Sequence, residues 1–139
     1  MSTSLEVKLR TQALAFPKLS ALLGTTPFRW YDSQLVQGSA YPAIVVQLIS
    51  SPMNYCNTGR LPTSWARYQF TVWDTDSERA RTTESALFDF FDVFNAVGHS
   101  GLPDYPVTVV NDRQNIYPDP EPIRFTRSVD AMIFSNNAL

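Results

Sequence analysis

The sequence predicts an α+β domain: a mostly antiparallel sheet, with an N-terminal helix and one long central helix packed on one of its faces. Three observations predict it. A β-branched run, Ala43-Ile44-Val45-Val46-Gln47-Leu48-Ile49, is followed by a turn-rich connection and an alternating run from Trp65 to Thr75. Apolar residues at three- and four-residue steps then run from Ala80 to Val97. A last alternating run spans Ile123 to Phe134. Hairpin-connected strands around one long helix build an antiparallel sheet with helices on one face. The chain has 139 residues, which fits a single domain over 1–139. A core of that size needs no disulfide or metal staple.

The first element is a helix from about Ser4 to Ala15, with Leu5, Leu9 and Ala13 stepping by four. Pro17 breaks it, because proline lacks an N–H and clashes with the preceding turn. A short second turn starts with Pro17 at its first position, and Leu19, Leu22 and Leu23 form its apolar side. Gly24 is a natural C-cap. Phe28 to Tyr31 reads as an edge strand, and Ser33 to Ala40 as a loop. Ala43 to Ile49 is apolar on both faces except at Gln47, which suits a central strand. Ser51 to Thr63 carries Pro52, Asn57-Thr58-Gly59 and Pro62, the chemistry of a long hairpin connection.

In the returning strand, Ala66, Tyr68, Phe70 and Val72 form the core face. Trp65, Arg67, Gln69, Thr71 and Trp73 form the other, which is too aromatic to be fully solvated. Thr75-Asp76-Ser77-Glu78 matches a capping box, with Thr75 as the cap and Glu78 reaching back. The helix it opens runs from Asp76 to Val97. Its stripe is Ala80, Thr83, Leu87, Phe90, Phe94 and Val97; Phe88 and Phe91 fall off it and widen the apolar surface. Gly98 ends the helix, and Gly101 to Pro106 is loop. Val107 to Asn111 is a strand, and Asp112 to Asn115 a turn. Tyr117 to Pro122 is too proline-rich for a helix or a central strand. In the final strand Ile123, Phe125, Val129, Ala131 and Ile133 share a face that Arg127 interrupts. The tail from Ser135 is expected to be loose. There is no internal repeat.

The composition excludes several functions. A net charge of −2 argues against a general nucleic-acid binder. One cysteine, Cys56, and one histidine, His99, make neither an internal disulfide nor a zinc site. No cofactor is expected, since the five glycines, at 24, 38, 59, 98 and 101, form no phosphate loop. No nucleophile elbow occurs. Cys56 and His99 lack the third member of a catalytic set, and His99 suits the end of a helix better. Glu84, Asp89 and Asp92 could bind metal or move protons, but read more simply as a solvated helix face. No run approaches the roughly 18 apolar residues of a membrane span. The N-terminus lacks the form of a signal peptide, which points to the cytosol.

What remains are aromatics and arginines. Only Lys8 and Lys18 are lysines; arginine, weakly hydrated and planar, is the cation that tolerates interfaces. Trp65, Arg67, Trp73 and Tyr55 could stack single-stranded nucleic acid. The acidic balance favours a subunit contact instead. Candidates for that contact are Trp65, Arg67, Trp73, Phe88 and Phe91.

The whole pattern resembles the tail-terminator (tail-completion) proteins of long-tailed bacteriophages. The matching stretches are Leu14 to Gly24, Tyr41 to Ser50, Ala66 to Trp73, the helix opened by Ser77-Glu78-Arg79-Ala80, and the strand starting at Arg124-Phe125. The resemblance implies a structural virion protein without catalytic residues, assembled in the host cytoplasm. Six copies would form a ring at the tail–neck junction, capping the tail tube and ending its growth. The ring would offer a surface to head-completion proteins and let genomic DNA pass without specific binding. The loop residues Met53, Asn54, Tyr55, Asn57 and Arg60 would face tube or head. The stretch from Gly98 to Pro122 is longer and richer in proline than that family's pattern. Two other readings stand beside this one: a head-closure or head–tail adaptor protein, and a monomeric binding module or small hydrolase. Clustered ligands or an activated nucleophile would favour the latter.

Overall fold

The structure is a computed structural model that describes residues 2–36, 38–50, 55–56, 59–60, 63–96, 107–118 and 122–136. The elements in chain order are α1 (Ser2–Ala15), α2 (Pro17–Leu23), β1 (Trp30–Asp32), β2 (Ala43–Ser50), β3 (Tyr55–Cys56), β4 (Gly59–Arg60), β5 (Thr63–Asp74), α3 (Ser77–Ala96), β6 (Val107–Tyr117) and β7 (Arg124–Asn136). Five strands form one sheet in the order β1-β2-β5-β7-β6, and β3 and β4 pair as a small hairpin. Only β1 with β2 is parallel; the other pairs of the main sheet are antiparallel. The helices cover one face, as the apolar patterns require.

That face holds the core. Ala66, Tyr68, Phe70 and Val72 of β5 are buried, as are Val129, Ala131 and Ile133 of β7. The stripe of α3 meets them with Ala80, Thr83, Leu87, Phe90 and Phe94, all buried. Leu9 and Ala13 of α1 and Leu19 and Leu23 of α2 complete the layer. The centre is aromatic: Trp30 lies edge-on to Phe70 at 6.0 Å and to Phe90 at 6.1 Å, and Phe16 packs on Phe90 at 5.9 Å. Such ring pairs add about 0.5–1.5 kcal/mol each beyond their burial.

Local chemistry sets the helix ends. Pro17 sits in the first turn of α2, where its missing N–H costs nothing. Gly24 ends α2 with φ of +79°, and its N–H donates to the Ser20 carbonyl at 3.0 Å. A Cβ there would stand 3.0 Å from the Arg29 guanidinium and 3.3 Å from the Pro27 carbonyl. The position therefore needs glycine for space as well as backbone. Arg29 closes the corner by donating to the carbonyls of Leu22 at 2.9 Å and Pro42 at 2.8 Å.

The cap of α3 differs from the expected box. Asp76, not Thr75, is the cap: its Oδ1 accepts from the Glu78 N–H at 3.0 Å and the Arg79 N–H at 3.4 Å. The helix starts at Ser77, which shifts Glu78 into the first turn and away from a reach-back position. Aspartate is as good a cap as threonine, and Asp74 and Arg79 fix the register before Thr75 can act. Asp76→Ala is expected to cost about 1 kcal/mol. The measurement is a lowered urea midpoint at unchanged slope.

Two further expectations are corrected. Asp112 to Asn115 is not a turn: β6 continues through it to Tyr117, pairing with Val129 down to Arg124. The polar residues absorb a register shift between Val109 and Asn111 instead of reversing the chain. The edge strand at the other side of the sheet is Trp30 to Asp32, two residues later at its start than expected. Val97, Gly98 and His99, and the loop from Gly101 to Pro106, lie outside the described residues.

Candidate assembly surface

Because side chains alternate along a strand, burying one face of β5 leaves Arg67, Gln69, Thr71 and Trp73 on the other. All four are partly exposed, as the sequence implied. Among the described residues, no helix residue lines this face. It forms an open hollow of about 340 Å³, lined by glutamine, threonine, serine and asparagine residues together with Leu35, Val45, Trp73, Tyr117 and Arg113.

Two clusters give the face its order. Trp73 of β5 stacks on Tyr117 of β6 with centroids 5.5 Å apart, and the Arg124 guanidinium lies 5.7 Å from the Trp73 ring. That arrangement is an aromatic ledge closed by a cation. At the other end, Asp130 of β7 accepts from Arg67 Nη2 at 2.9 Å, with Arg113 Nη1 3.9 Å away. Asp130 is buried while the Arg67 side chain is 42% exposed, so Arg67 shields the carboxylate and still presents its own face outward. Trp65 belongs to the same strand, opposite Phe134.

The helix candidates fare differently. Phe88 is only partly buried and packs at the rim of the core. Phe91 is 4% exposed and lies edge-on to Phe70 at 4.9 Å. It is a core residue, which corrects the expectation that it offers a contact surface. The wider apolar face that Phe88 and Phe91 give α3 is used inward at Phe91, which packs on the sheet beside the main stripe. Among the loop candidates, Tyr55 pairs with Arg60 in the small hairpin. Met53, Asn54 and Asn57 lie outside the described residues.

The edge strand β6 runs six residues beyond the expected Val107–Asn111, to Tyr117. Every residue from Thr108 to Tyr117 is exposed, including Val109, Val110, Ile116 and Tyr117. Among the described strands it pairs only with β7, so its outer row of backbone groups faces away from the sheet. Its β-branched and aromatic ends, Val107 to Val110 and Ile116-Tyr117, carry a strand signal, but the polar run between them hides its continuity.

The carboxylates of α3 also divide. Asp89 pairs with Lys18 of α2 at 2.8 Å and Asp92 is exposed, as a solvated face requires. Glu84 is instead buried against the sheet, where Arg127 Nη1 donates to its Oε1 at 3.3 Å. Burial, then the neighbouring Asp112, pushes Glu84 up to about 7; Arg127 and Arg81 pull the other way. Among the described residues no group of three or more His, Cys, Asp or Glu could hold a metal ion. Among the described residues, no helix is long and apolar enough to cross a membrane.

No protein-family model matches the chain, and no curated protein matches it in sequence. A solved structure does resemble it in fold. A chain from the virion of a native gene transfer agent (GTA) particle superposes with a TM-score of 0.52 at 16% identity, over 91% of this chain and 92% of that one. At that identity the likeness is one of fold.

Proposed function

We propose that this chain is a structural subunit of a phage-like virion, and that it forms a ring, of six copies, that caps the tail tube. The ring ends tube polymerisation, offers a surface to the head-completion protein and lets DNA pass. The observation that carries the reading is the end-to-end fold likeness to a virion chain, with neither partner leaving a domain unmatched. The sequence resemblance to tail terminators supports the same place in the particle.

The surfaces fit this role. A closed ring needs two different patches on each copy. The open sheet face, with Arg67 and Trp73 and with Trp65 on the same strand, is one. The β6 edge is the other, because an unpaired strand is a template for a neighbouring chain. Phe88 flanks the helix side of the contact. The segment 51–62, with Met53, Asn54, Tyr55, Asn57 and Arg60, is assigned to tube or head. A net charge of −2 leaves the chain no basic excess with which to grip DNA phosphates, which suits a ring that the duplex slides through.

Trp73→Glu tests the contact. The variant is expected to keep its helical and sheet circular dichroism and to run as a monomer by light scattering. An intact ring from that variant would count against the open face. A phage lacking the gene is expected to make overlong tails or heads without attached tails; normal virions would sink the assignment.

A further inference from the structure

We infer that the acidic, proline-rich segment Pro118–Pro122 of one copy docks in the groove between α2 and α3 of the next. The contact rests on the ring proposed above and adds a further pair of surfaces to it.

The groove holds about 530 Å³. Leu22 of α2 and the buried Ala86 of α3 are its apolar lining. The rest is rich in hydrogen-bond donors. Arg81 and Ser85 are exposed, and their side chains make no hydrogen bond among the described residues. Lys18 gives one N–H to Asp89 at 2.8 Å and, 63% exposed, keeps two more. Two cations and one anion leave the groove a net positive charge.

The segment is the chemical converse. It reads Pro-Asp-Pro-Glu-Pro, and Asp119 to Glu121 lie outside the described residues. Proline has no N–H, so only Asp119 and Glu121 keep a backbone donor, against five carbonyls and two carboxylates that accept. The carboxylates answer Lys18 and Arg81, and the proline rings cover Leu22 and Ala86. Proline at every second position also confines the backbone to extended forms, so docking gives up little chain entropy.

The segment is too short for its own groove. Thr82, Ser85 and Asp89 line the groove from the side of α3 opposite the buried Ala80, Thr83, Leu87 and Phe90, so it opens away from the sheet. Residues 118–123 leave β6 at Tyr117 and rejoin β7 at Arg124, directly opposite. Three residues out and three back reach about 10 Å. A helix with its side chains is about 10–12 Å across, and α3 stands between the sheet and the α2 side. A tip on one copy and a groove on its neighbour are two different patches, as a ring requires. The tip also prolongs β6, the edge assigned to that neighbour.

The test uses the full chain carrying Asp119→Lys and Glu121→Lys, whose own segments no longer compete for the groove. A fluorescein-labelled peptide of this chain's residues 117–123 is the probe, read by anisotropy. Binding is expected to saturate. Adding Arg81→Glu to the receptor is expected to weaken it by about tenfold, because an attraction becomes a repulsion. Ser85→Trp, which fills the groove from an exposed position, is expected to abolish it. No saturable binding, or equal binding by the Arg81→Glu and Ser85→Trp receptors, would overturn the inference even if wild type forms rings. Saturable binding by a wild type that runs as a monomer in light scattering would support the docking and contradict only the closed ring. A monomeric wild type that refuses the peptide its variant accepts would place the segment in its own groove, and so overturn the assignment to a second copy.

Discussion

Phe91→Ala is expected to destabilise the domain by about 3–5 kcal/mol, the range for emptying a buried aromatic site. Phe91 is 4% exposed, and its ring meets Phe70 at 4.9 Å, Phe90 at 6.1 Å and Phe88 at 6.4 Å. Three aromatic contacts would be lost together, and the rigid sheet beneath cannot collapse into the gap. Phe91→Asp is expected to abolish folding, since it adds an unpaired buried charge to the same cavity. This is the reverse of what a surface residue would do. Urea unfolding followed by tryptophan fluorescence is the measurement. A folded Phe91→Asp monomer of near-native midpoint would place the residue outside the core.

Asp74→Ala is expected to cost about 3 kcal/mol, the low end for breaking a buried ion pair. Asp74 is fully buried at the end of β5. Its Oδ1 accepts from the N–H groups of Thr75 at 2.7 Å and Asp76 at 3.1 Å. Arg79 adds a two-pronged contact, Nε at 2.8 Å and Nη2 at 2.6 Å. The residue thus ties strand, turn and first helical turn together. The low end applies because the Arg79 side chain is 43% exposed and water recovers part of the loss. Asp74→Asn keeps an acceptor for the turn but aims an amide at the guanidinium, so it should fall between wild type and alanine. Equal stability of all three would remove Asp74 from this role.

Much of the fold was legible because burial leaves a periodic trace. Alternation from Ala66 to Val72 and the Ala80–Phe94 stripe gave the sheet face and the helix face that meet in the core. Pro17 and Gly24 marked α2 because each acts through its own backbone. What failed to show were contacts between residues far apart in sequence. Glu84 read as solvated and Arg127 as an interruption in an apolar face. The two exceptions answer each other across 43 residues. The burial of Asp74 and Asp130 leaves no trace in the local sequence for the same reason: their partners, not their neighbours, explain it. The length of β6 was hidden by Asn111 and Asp112, whose turn preference is overridden by pairing with β7.

The candidate surface was half legible. Arg67 and Trp73 were picked by residue type on the uncovered strand face, and the structure leaves them partly exposed there. Phe91 was misplaced because a single stripe understates how far a helix sinks into a sheet. The β6 edge was missed, although an exposed strand edge is the more direct route to a neighbouring copy.

Negative-stain microscopy of the purified protein, with its mass by light scattering, tests the ring directly. The account predicts six-fold rings with six times the chain mass. A monodisperse monomer over the whole accessible concentration range contradicts it.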